Sequence, residues 1–597
     1  AITTNHAVNI AGGSDNSTFS IGAGFQDQDG TFGSPAPSNY RRFTFRVNSE
    51  HVVLRGKDKR EVLKVGENIY YQHAQTKGIQ IGNQYSNNIS TALRANPLIP
   101  VFNSNGDYFS YNDFKASGTS PTGWFSYNQY SSNPEYLLTM TQGANNKSRN
   151  MNLNAVGYVE ISPWKGFKYR GQIDYKSYAS SWKGMTKAYK INDSSDGQQA
   201  STSLTQNETL GWNWGTTHTF NYVFDVSKHH FDALFGMEYS REGNNMGDYM
   251  QATATGFMFD PNGLDYAYLR NFTDRSKATV DGTPASNDHS LMSYFGRINY
   301  NWNETYMLTA ILRADGSSNF AKGHRWGWFP SFSAGWVVTN EKFMEKTRSW
   351  LDYLKLRTSW GQNGNENIGQ FMYTGTFAFG SDGLYSFNND KESGTQGGYP
   401  TRLPNPDITW ETSEQFDAGF DARFLRQRLN LTFDYYVKKT KDLLLSVPIP
   451  PENGFSSNVQ NAGTVENKGI EIALSWRDRI GSDFEYNVGW NLAYNHNEVT
   501  KVNNGNHYIN GSQNILSQGT GAISRMEEGE PIGYFYGYKT EGVMQNAADV
   551  QAYLDKNCGG KAENSVQGTS IKPGDLKFVD TNGDGVVNDD DKTKIGD

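Results

Sequence analysis

The chain has 597 residues, more than the ~250–300 at which a single soluble core usually stops growing. It therefore holds either several packed domains or one large closed architecture. The 54 basic and 62 acidic residues give a net charge of −8, which argues against a nucleic-acid binder. Aromatic residues make up 14% of the chain and glycines number 62, a composition that predicts an all-β fold of short strands and polar loops.

The sequence contains a single cysteine, Cys558, so intramolecular disulfides are excluded. No run approaches the ~18 apolar residues that a spanning helix needs. Ala1 opens directly into polar sequence without a charged and then apolar secretory signal. We expect any export signal to lie upstream of this sequence.

Apolar and polar residues alternate with period two in stretches of about ten residues, the length that a tilted strand needs to cross a bilayer. The hairpins that this alternation predicts lie, in chain order, at 6–25, 155–175, 220–239, 298–307, 413–440 and 467–496. The same pattern over the rest of the chain predicts about 17–18 strands.

Short turns alternate with long polar stretches, which lie at 76–150, 178–207, 241–288, 362–404 and 500–525. Tight periplasmic turns and long extracellular loops are typical of outer-membrane barrels. Because lipid offers no hydrogen-bond partners, a spanning sheet must close on itself. The sequence therefore predicts a large transmembrane antiparallel β-barrel, with Phe231, Phe235 and Tyr239 on its outer face. Aromatic residues expected at headgroup depth are Tyr40, Trp164, Tyr175, Trp302, Tyr306, Trp336 and Trp476.

Long motifs in the chain resemble those of the SusC-like (SusC/RagA) TonB-dependent transporters. They read RADGSSNFAKGHRWGWFPSFSAGWVVTNEKFM at 313–344, LKLRTSWGQNGNENIG at 354–369, NAGTVENKGIEIALSW at 461–476 and PGDLKFVDTNGDGVVNDDD at 573–591. The resemblance covers essentially the whole chain. It implies an outer-membrane barrel of about 22 strands in the complete protein, with energy for import relayed by TonB. The implied cargo is a bulky nutrient, either an oligosaccharide or an oligopeptide.

The resemblance also implies partners. A SusD-like surface lipoprotein would cap the barrel, the TonB complex would bind through a plug domain and TonB box, and two such pairs would assemble side by side in the lipid bilayer. We expect residues 1–597 to be a partial barrel domain, with the plug domain and the carboxy-terminal strands outside this sequence.

Three other classes of protein compete with this interpretation. A siderophore or cobalamin receptor shares the barrel but usually works without a lipoprotein lid. A secreted multi-domain β protein, carbohydrate-binding or adhesive, would fold as sandwiches. A glycan-degrading enzyme needs a positioned carboxylate pair, and no motif in the sequence nominates one. We therefore predict no catalytic residue and no organic cofactor, and the sequence singles out no substrate-binding set.

The sharpest local motif is DTNGDGVVNDDD at 580–591, which fits the twelve-residue calcium loop. Oxygen atoms at positions one, three, five, seven and twelve can surround a hard cation, and the glycine at position six allows the sharp turn. The predicted structural Ca²⁺ ligands are Asp580, Asn582, Asp584, the carbonyl of Val586 and Asp591. Asp591 stands where the motif usually has Glu. The alternative is an acidic surface turn.

Overall fold

The computed structural model of the chain describes residues 1–31, 37–79, 88–116, 133–141, 145–191, 198–244, 250–256, 264–271, 279–282, 289–385, 395–449, 452, 454–455, 457–513, 515 and 519–596. They form two compact units, one of Ala1–Val223 with Ala233–Phe295 and the other of Phe224–Asp232 with Gly296–Asp597. Antiparallel strands dominate both units, as the alternation predicts. No helix in the described ranges is long and apolar enough to cross a membrane.

Strands fill the first part of the chain. They are β1 (Thr3–Ser14), β2 (Ser17–Asp29), β3 (Asn39–Arg55), β4 (Glu61–Lys77), β5 (Asn146–Ile161), β6 (Phe167–Thr186), β7 (Tyr189–Lys190), β8 (Gln198–Gln199), β9 (Ser203–Val226), β10 (His229–Asn244), β11 (Met250–Thr255) and β12 (Thr279–Gly282). The helices α1 (Asn88–Leu93), α2 (Tyr111–Ala116) and α3 (Pro134–Met140) lie between β4 and β5 in the sequence. Each strand from β1 to β6 pairs with the next, and β6 pairs with β9.

The second part of the chain continues in the same way. Its strands are β13 (His289–Trp302), β14 (Tyr306–Ser317), β15 (Trp326–Val337), β16 (Leu351–Asn365), β17 (Thr376–Tyr385), β18 (Thr395–Arg402), β19 (Glu411–Phe424), β20 (Leu429–Lys441), β21 (Leu444–Pro448), β22 (Ser457–Asn461), β23 (Gly463–Ile480), β24 (Phe484–Val502), β25 (Tyr508–Asn510), β26 (Ser524–Glu527), β27 (Tyr534–Tyr538), β28 (Thr540–Val543), β29 (Leu576–Phe578) and β30 (Lys592–Gly596). Helix α4 spans Ala547–Asn557. Pairing runs in the order β14, β15, β16, β19, β20, β23 and β24.

Eighteen of the described strands belong to one sheet, which agrees with the number predicted from the alternation. The predicted hairpins are confirmed, and their turns are short: residues 15–16 join β1 to β2, and residues 481–483 join β23 to β24. The remaining strands form small sheets of two or four strands. One of these pairs β25, β26, β27 and β30 in that order.

The predicted bounds of the long loops were wrong. Strand β6 continues to Thr186 and β9 begins at Ser203, so both strands run into the stretch at 178–207. Strands β17 and β18 likewise form a hairpin inside 362–404. The reason is that ladder hydrogen bonds join backbones and do not require apolar side chains, as the polar pair Ser180 and Thr209 illustrates.

Register gives the sheet one apolar and one polar face. Across β20, β23 and β24, the rows Leu431–Leu474–Trp490 and Phe433–Ile472–Leu492 lie on the apolar face. Trp490 keeps 53% of its surface exposed, which a soluble protein would rarely leave uncovered over so wide an area. Between these rows lie Thr432, Ala473 and Asn491 on the polar face, because successive side chains point to opposite sides.

Strand β10 shows the same division. Phe231, Phe235 and Tyr239 occupy alternate positions and therefore share one face, as predicted, and Phe235 is 50% exposed. Asp232 lies on the other face, where its carboxylate accepts a hydrogen bond from Arg297 at 3.1 Å. Buried apolar side chains instead form small clusters beneath the connections. One of them contains Met185, Leu204 and Ala267.

Aromatic side chains gather beside the short turn that joins β13 and β14. The ring centroids of Trp302 and Tyr306 are 5.5 Å apart, and those of Tyr306 and Trp336 are 6.2 Å apart. The Tyr306 hydroxyl donates to Glu341 at 2.6 Å. Each ring thus combines an apolar body with a polar tip, which suits the boundary between lipid and water.

Candidate functional site

The polar face of the second unit carries a cluster of charged side chains centred on Arg357 of β16. Its guanidinium donates from Nη2 to Asp434 Oδ2 at 2.7 Å and from Nε to Asp421 Oδ2 at 3.2 Å. Nη1 lies 3.5 Å from Asp417 Oδ1. One cation therefore faces three carboxylates, which leaves this part of the polar face acidic.

Gly419 makes this cluster geometrically possible. It pairs with Arg357 on one side and with Asp434 on the other, so it lies between them on β19. A Cβ atom on Gly419 would come 2.4 Å from Asp434 Oδ1, closer than Cβ contacts in proteins allow. The missing side chain lets Arg357 reach across a whole strand to its partner on β20.

A more balanced cluster lies on the polar face of the first unit. Glu160 accepts from Lys64 at 3.0 Å and from Arg170 at 3.1 Å, and Glu50 lies 3.2 Å from the same lysine. The Tyr158 hydroxyl donates to Glu50 at 2.8 Å. These hydrogen bonds and ion pairs satisfy the charged groups of the polar face. They also keep its surface hydrophilic, which suits contact with water or with a polar solute.

The calcium-type loop folds around the carboxylate of its first residue, Asp580. Oδ1 accepts from the Gly583 N–H at 2.6 Å and Oδ2 from the Gly585 N–H at 2.8 Å. Gly583 and Gly585 adopt φ values of +78° and +79°, a region that favours glycine. The glycine at position six thus makes the sharp turn that the motif predicts.

The last residue of the loop, Asp591, is fully buried. Its carboxylate accepts from the backbone N–H groups of Thr581 at 2.7 Å, Asn588 at 2.9 Å and Asn582 at 3.3 Å. Burial alone would raise the pKa of this carboxyl group, but these N–H donors outweigh burial and hold the pKa below its ordinary value. Asp591 therefore stays ionised and ties the two ends of the loop together.

The remaining predicted ligands lie at the surface. Asn582 and Asp584 are exposed, and their side-chain oxygens accept from the N–H groups of Asp584 at 2.9 Å and Val586 at 2.8 Å. Within the described ranges, no three His, Cys, Asp or Glu side chains converge as a metal-binding group. The loop carries oxygen donors of the kind that Ca²⁺ prefers, and in this structure they accept hydrogen bonds from the backbone of the loop itself.

The loop packs on a small hydrophobic cluster beneath it. Val587 contacts a cluster that also contains Cys558, Tyr553 and Leu554 of the α4 region. The Asn564 side chain donates to the carbonyls of Cys558 and Gly585, both at 3.1 Å, and so joins this cluster to the loop. The fold of the loop and the burial of Cys558 are therefore coupled.

We expect Cys558 to resist alkylation in the folded protein. Its thiol is fully buried, and burial raises its pKa, so little reactive thiolate is exposed. Maleimide should label it at least ~100-fold more slowly than it labels the unfolded chain. Labelling followed by intact mass checks this, and equal rates in native and denatured protein would contradict the burial.

Comparison with known proteins identifies the family of this chain. The model of the family "TonB dependent receptor-like, beta-barrel" matches residues 162–554, more than half of the chain. The chain belongs to this family of TonB-dependent receptors. Its members lie in the bacterial outer membrane, so the apolar face of the sheet contacts lipid and the polar face lines the lumen.

The chain is similar in sequence to several TonB-dependent receptors. TonB-dependent receptor P26 of Formosa agariphila is 28% identical over 99% of this chain and 54% of its own length. TonB-dependent receptor SusC of Bacteroides thetaiotaomicron shows the same identity and the same coverage of both chains. The resemblance to SusC-like proteins is thereby confirmed. The chain spans about half the length of the curated relatives it matches.

A solved structure shares the fold. The structure of the RagAB peptide importer in its open-open state matches with a TM-score of 0.74 at 22% identity, over 100% of this chain and 57% of that chain. This likeness confirms the barrel fold of TonB-dependent receptors. The alternative of a secreted protein built of sandwiches is wrong, because one extended sheet replaces them.

The residues on the polar face were missed by reasoning from sequence. Arg357, Asp421 and Asp434 are scattered over about eighty positions of the chain, and only the strand register brings them together. One signal was present in the sequence, since each of them alternates with apolar neighbours and so must face away from lipid.

Proposed function

We propose that this chain forms the barrel wall of a TonB-dependent importer of the SusC/RagA type. The observation that carries the proposal is the division of one sheet into an exposed apolar face and a polar, ion-paired face. Such a wall lets a hydrophilic solute cross the membrane without contact with lipid. No catalytic role is proposed, because the family is one of receptors.

The proposed cargo is a bulky nutrient, an oligosaccharide or an oligopeptide. Sequence similarity to SusC along nearly the whole chain supports this class, and the RagAB structure is described as that of a peptide importer. The polar face offers carboxylates, amides and guanidinium groups, which bind both sugars and peptides. A siderophore or cobalamin receptor is the alternative, and the similarity to SusC favours the larger cargo.

The proposed partners follow from the same resemblance. A SusD-like lipoprotein would close over the extracellular loops, and the TonB complex would act through a plug domain and TonB box. Two such pairs would lie side by side. The test is to tag the full-length protein, extract outer membranes with detergent and identify the co-purifying proteins. A lipoprotein recovered in equal amount would support the lid, whereas a barrel purified alone from fresh membranes would contradict it.

Transport itself is tested by uptake in cells. A strain that lacks the gene should fail to take up an oligosaccharide or oligopeptide that the parent strain consumes, and disrupting TonB should have the same effect. If the mutant instead loses only a ferric siderophore or cobalamin, the alternative receptor class would replace this proposal.

We also propose that the loop at 580–591 binds a structural Ca²⁺ ion. Asp580, Asn582, Asp584, Asp591 and the carbonyl of Val586 supply oxygen donors of the type that the ion requires. The bound ion would neutralise the carboxylates at the tip of the loop. Asp591 is buried and accepts backbone N–H bonds, so besides supplying an oxygen donor it holds the two ends of the loop together.

Cys558 provides the readout for calcium. In full-length protein at about 100 times the dissociation constant, Ca²⁺ should stabilise the loop by about 2.7 kcal/mol and slow Cys558 labelling about 100-fold relative to EGTA. Asp584→Asn should weaken the effect, while Asp590→Asn, outside the ligand positions, should leave it intact. Equal labelling rates with Ca²⁺ and with EGTA in the wild-type protein would refute the site.

A further inference from the structure

A polar groove of about 410 Å³ lies on the polar face of β1, β2 and β3. Its lining follows three rows of the register, which are Asn9–Gly22–Arg46, Ala7–Gly24–Thr44 and Asn5–Gln26–Arg42. Ser20 and Asn48 extend it at one end. The polar side chains of the lining are amides, hydroxyls and guanidinium groups, and Ala7, Val8, Ala23 and Phe25 complete it.

Two glycines form the floor of the groove. Gly22 and Gly24 lie on the middle strand, between the side chains of β1 and β3, and leave the sheet surface bare there. A Cβ on Gly24 would come 2.7 Å from Thr44 Oγ1, so a side chain at this position would have to displace the Thr44 hydroxyl. A Cβ on Gly22 would meet Asn9 Oδ1 at an ordinary 3.4 Å, so a larger side chain fits there only by filling the groove.

Two arginines give the groove its charge. Arg42 and Arg46 share one face of β3, about 13 Å apart along the strand. Among the groups that line the groove there is no carboxylate. Arg46 lies over the ring of Tyr70, with 5.7 Å between Cζ and the ring centroid. By contrast, Arg41 on the opposite face is paired with Asp27 at 2.9 Å.

This arrangement is the opposite of that around Arg357. There three carboxylates surround one guanidinium, and an added anion would be repelled. Here two guanidinium groups lie among neutral hydrogen-bonding side chains. Arginine binds carboxylate and sulfate through paired N–H donors, and the nearby amides can bind the hydroxyl or amide groups beside such an anion.

We infer, resting on the proposed import function, that the groove over β1–β3 binds an oxyanion carried by the cargo, a carboxylate or a sulfate. The anion forms an ion pair with the guanidinium group of Arg42 or of Arg46. The uncharged part of the cargo lies over Gly22 and Gly24. The anion has two possible sources, an acidic oligosaccharide or the carboxylate of a peptide. In either case the groove selects for negative charge on the cargo.

The test measures equilibrium binding to the full-length protein in detergent with two matched pairs of probes. The first pair is a galacturonate hexamer and its neutral galactose counterpart, and the second is a neutral pentapeptide with a free or an amidated carboxyl terminus. One anionic probe should bind at least about tenfold more tightly than its neutral match. The pair that shows this preference identifies the source of the anion.

Three variants locate the effect. Arg42→Gln with Arg46→Gln should abolish the preference for the anionic probe and leave the neutral probe within about twofold. Gly22→Leu keeps both charges but fills the groove, and it should weaken the preferred probe. Arg41→Gln removes the same charge from the opposite face of the same strand. It should leave the binding of both probes unchanged.

Other outcomes would overturn the inference. They are a wild-type protein that binds neither anionic probe, a double variant that keeps the preference, and a double variant that loses both probes equally. A changed pattern of proteolysis in the double variant, with binding unchanged, would show that the arginines contact protein instead. Binding is measured on purified protein without transport. A failure of import in cells would therefore not change the interpretation of the binding result.

Discussion

Replacing Leu474 by arginine should lower the free energy of unfolding in lipid, while the same change at the adjacent Ala473 should be tolerated. Leu474 lies on the apolar face between Leu431 and Trp490 and is 37% exposed. An arginine on the lipid face costs about 2–4 kcal/mol at the bilayer midplane and less toward the headgroups, so at Leu474, two residues from Trp476, we expect a loss of about 2 kcal/mol. Ala473 lies between Thr432 and Asn491 on the polar face, where a cation meets water.

The measurement is the free energy of unfolding of the full-length protein in lipid vesicles, from denaturant titration of both variants and the wild type. The pair is closely matched, since the two positions are neighbours on one strand. Equal losses at Leu474 and Ala473 would mean that the two faces do not differ in environment, and the assignment of the lipid face would then fail.

Removing Arg357 should have the second largest effect. Arg357→Met removes the guanidinium that Asp417, Asp421 and Asp434 share. Breaking a fully buried pair costs about 3–5 kcal/mol, and because the Arg357 side chain is 30% exposed we expect about 1–3 kcal/mol. Adding Asp434→Asn should restore part of the loss by removing one of the opposing charges.

Lys438→Met provides the control for this experiment. Lys438 lies on the polar face of β20, four residues from Asp434, and its loss changes the net charge by the same amount. Unfolding in vesicles should show a small effect for this variant. If Lys438→Met and Arg357→Met destabilise the barrel equally, total charge and not the specific cluster would explain the loss.

The pattern of strands could be predicted from the sequence because each spanning strand has one side toward lipid and the other toward the lumen. Every second residue from Ile470 to Trp476 must be apolar, and the polar residues between them must face the lumen. Hairpins, strand number and the apolar face of β10 follow from that alternation. Strand ends such as Thr186 and Ser203 do not follow, because outside the lipid the backbone pairs without any pattern in the side chains.

The contacts among the side chains that face the lumen could be predicted less well. Arg357 reaches Asp434 only because Gly419 lies between them, and that depends on the register of three strands. The groove over β1–β3 depends in the same way on which residues face Gly22 and Gly24. The calcium-type loop is different, since all of its ligands lie within twelve consecutive residues. Its turn at Gly585 could therefore be read directly from the motif, although calcium binding stays a prediction.

A requirement of the membrane barrel is that this sheet separates lipid from an aqueous lumen. It is tested most directly by spin labels placed singly at 470–476 of β23 in full-length protein in bilayers, with Cys558 replaced by alanine. Accessibility to oxygen, which concentrates in lipid, and to a water-soluble nickel complex should alternate with period two, with oxygen favoured at 470, 472, 474 and 476. Uniform access of the nickel complex to both sets of positions would contradict the membrane barrel.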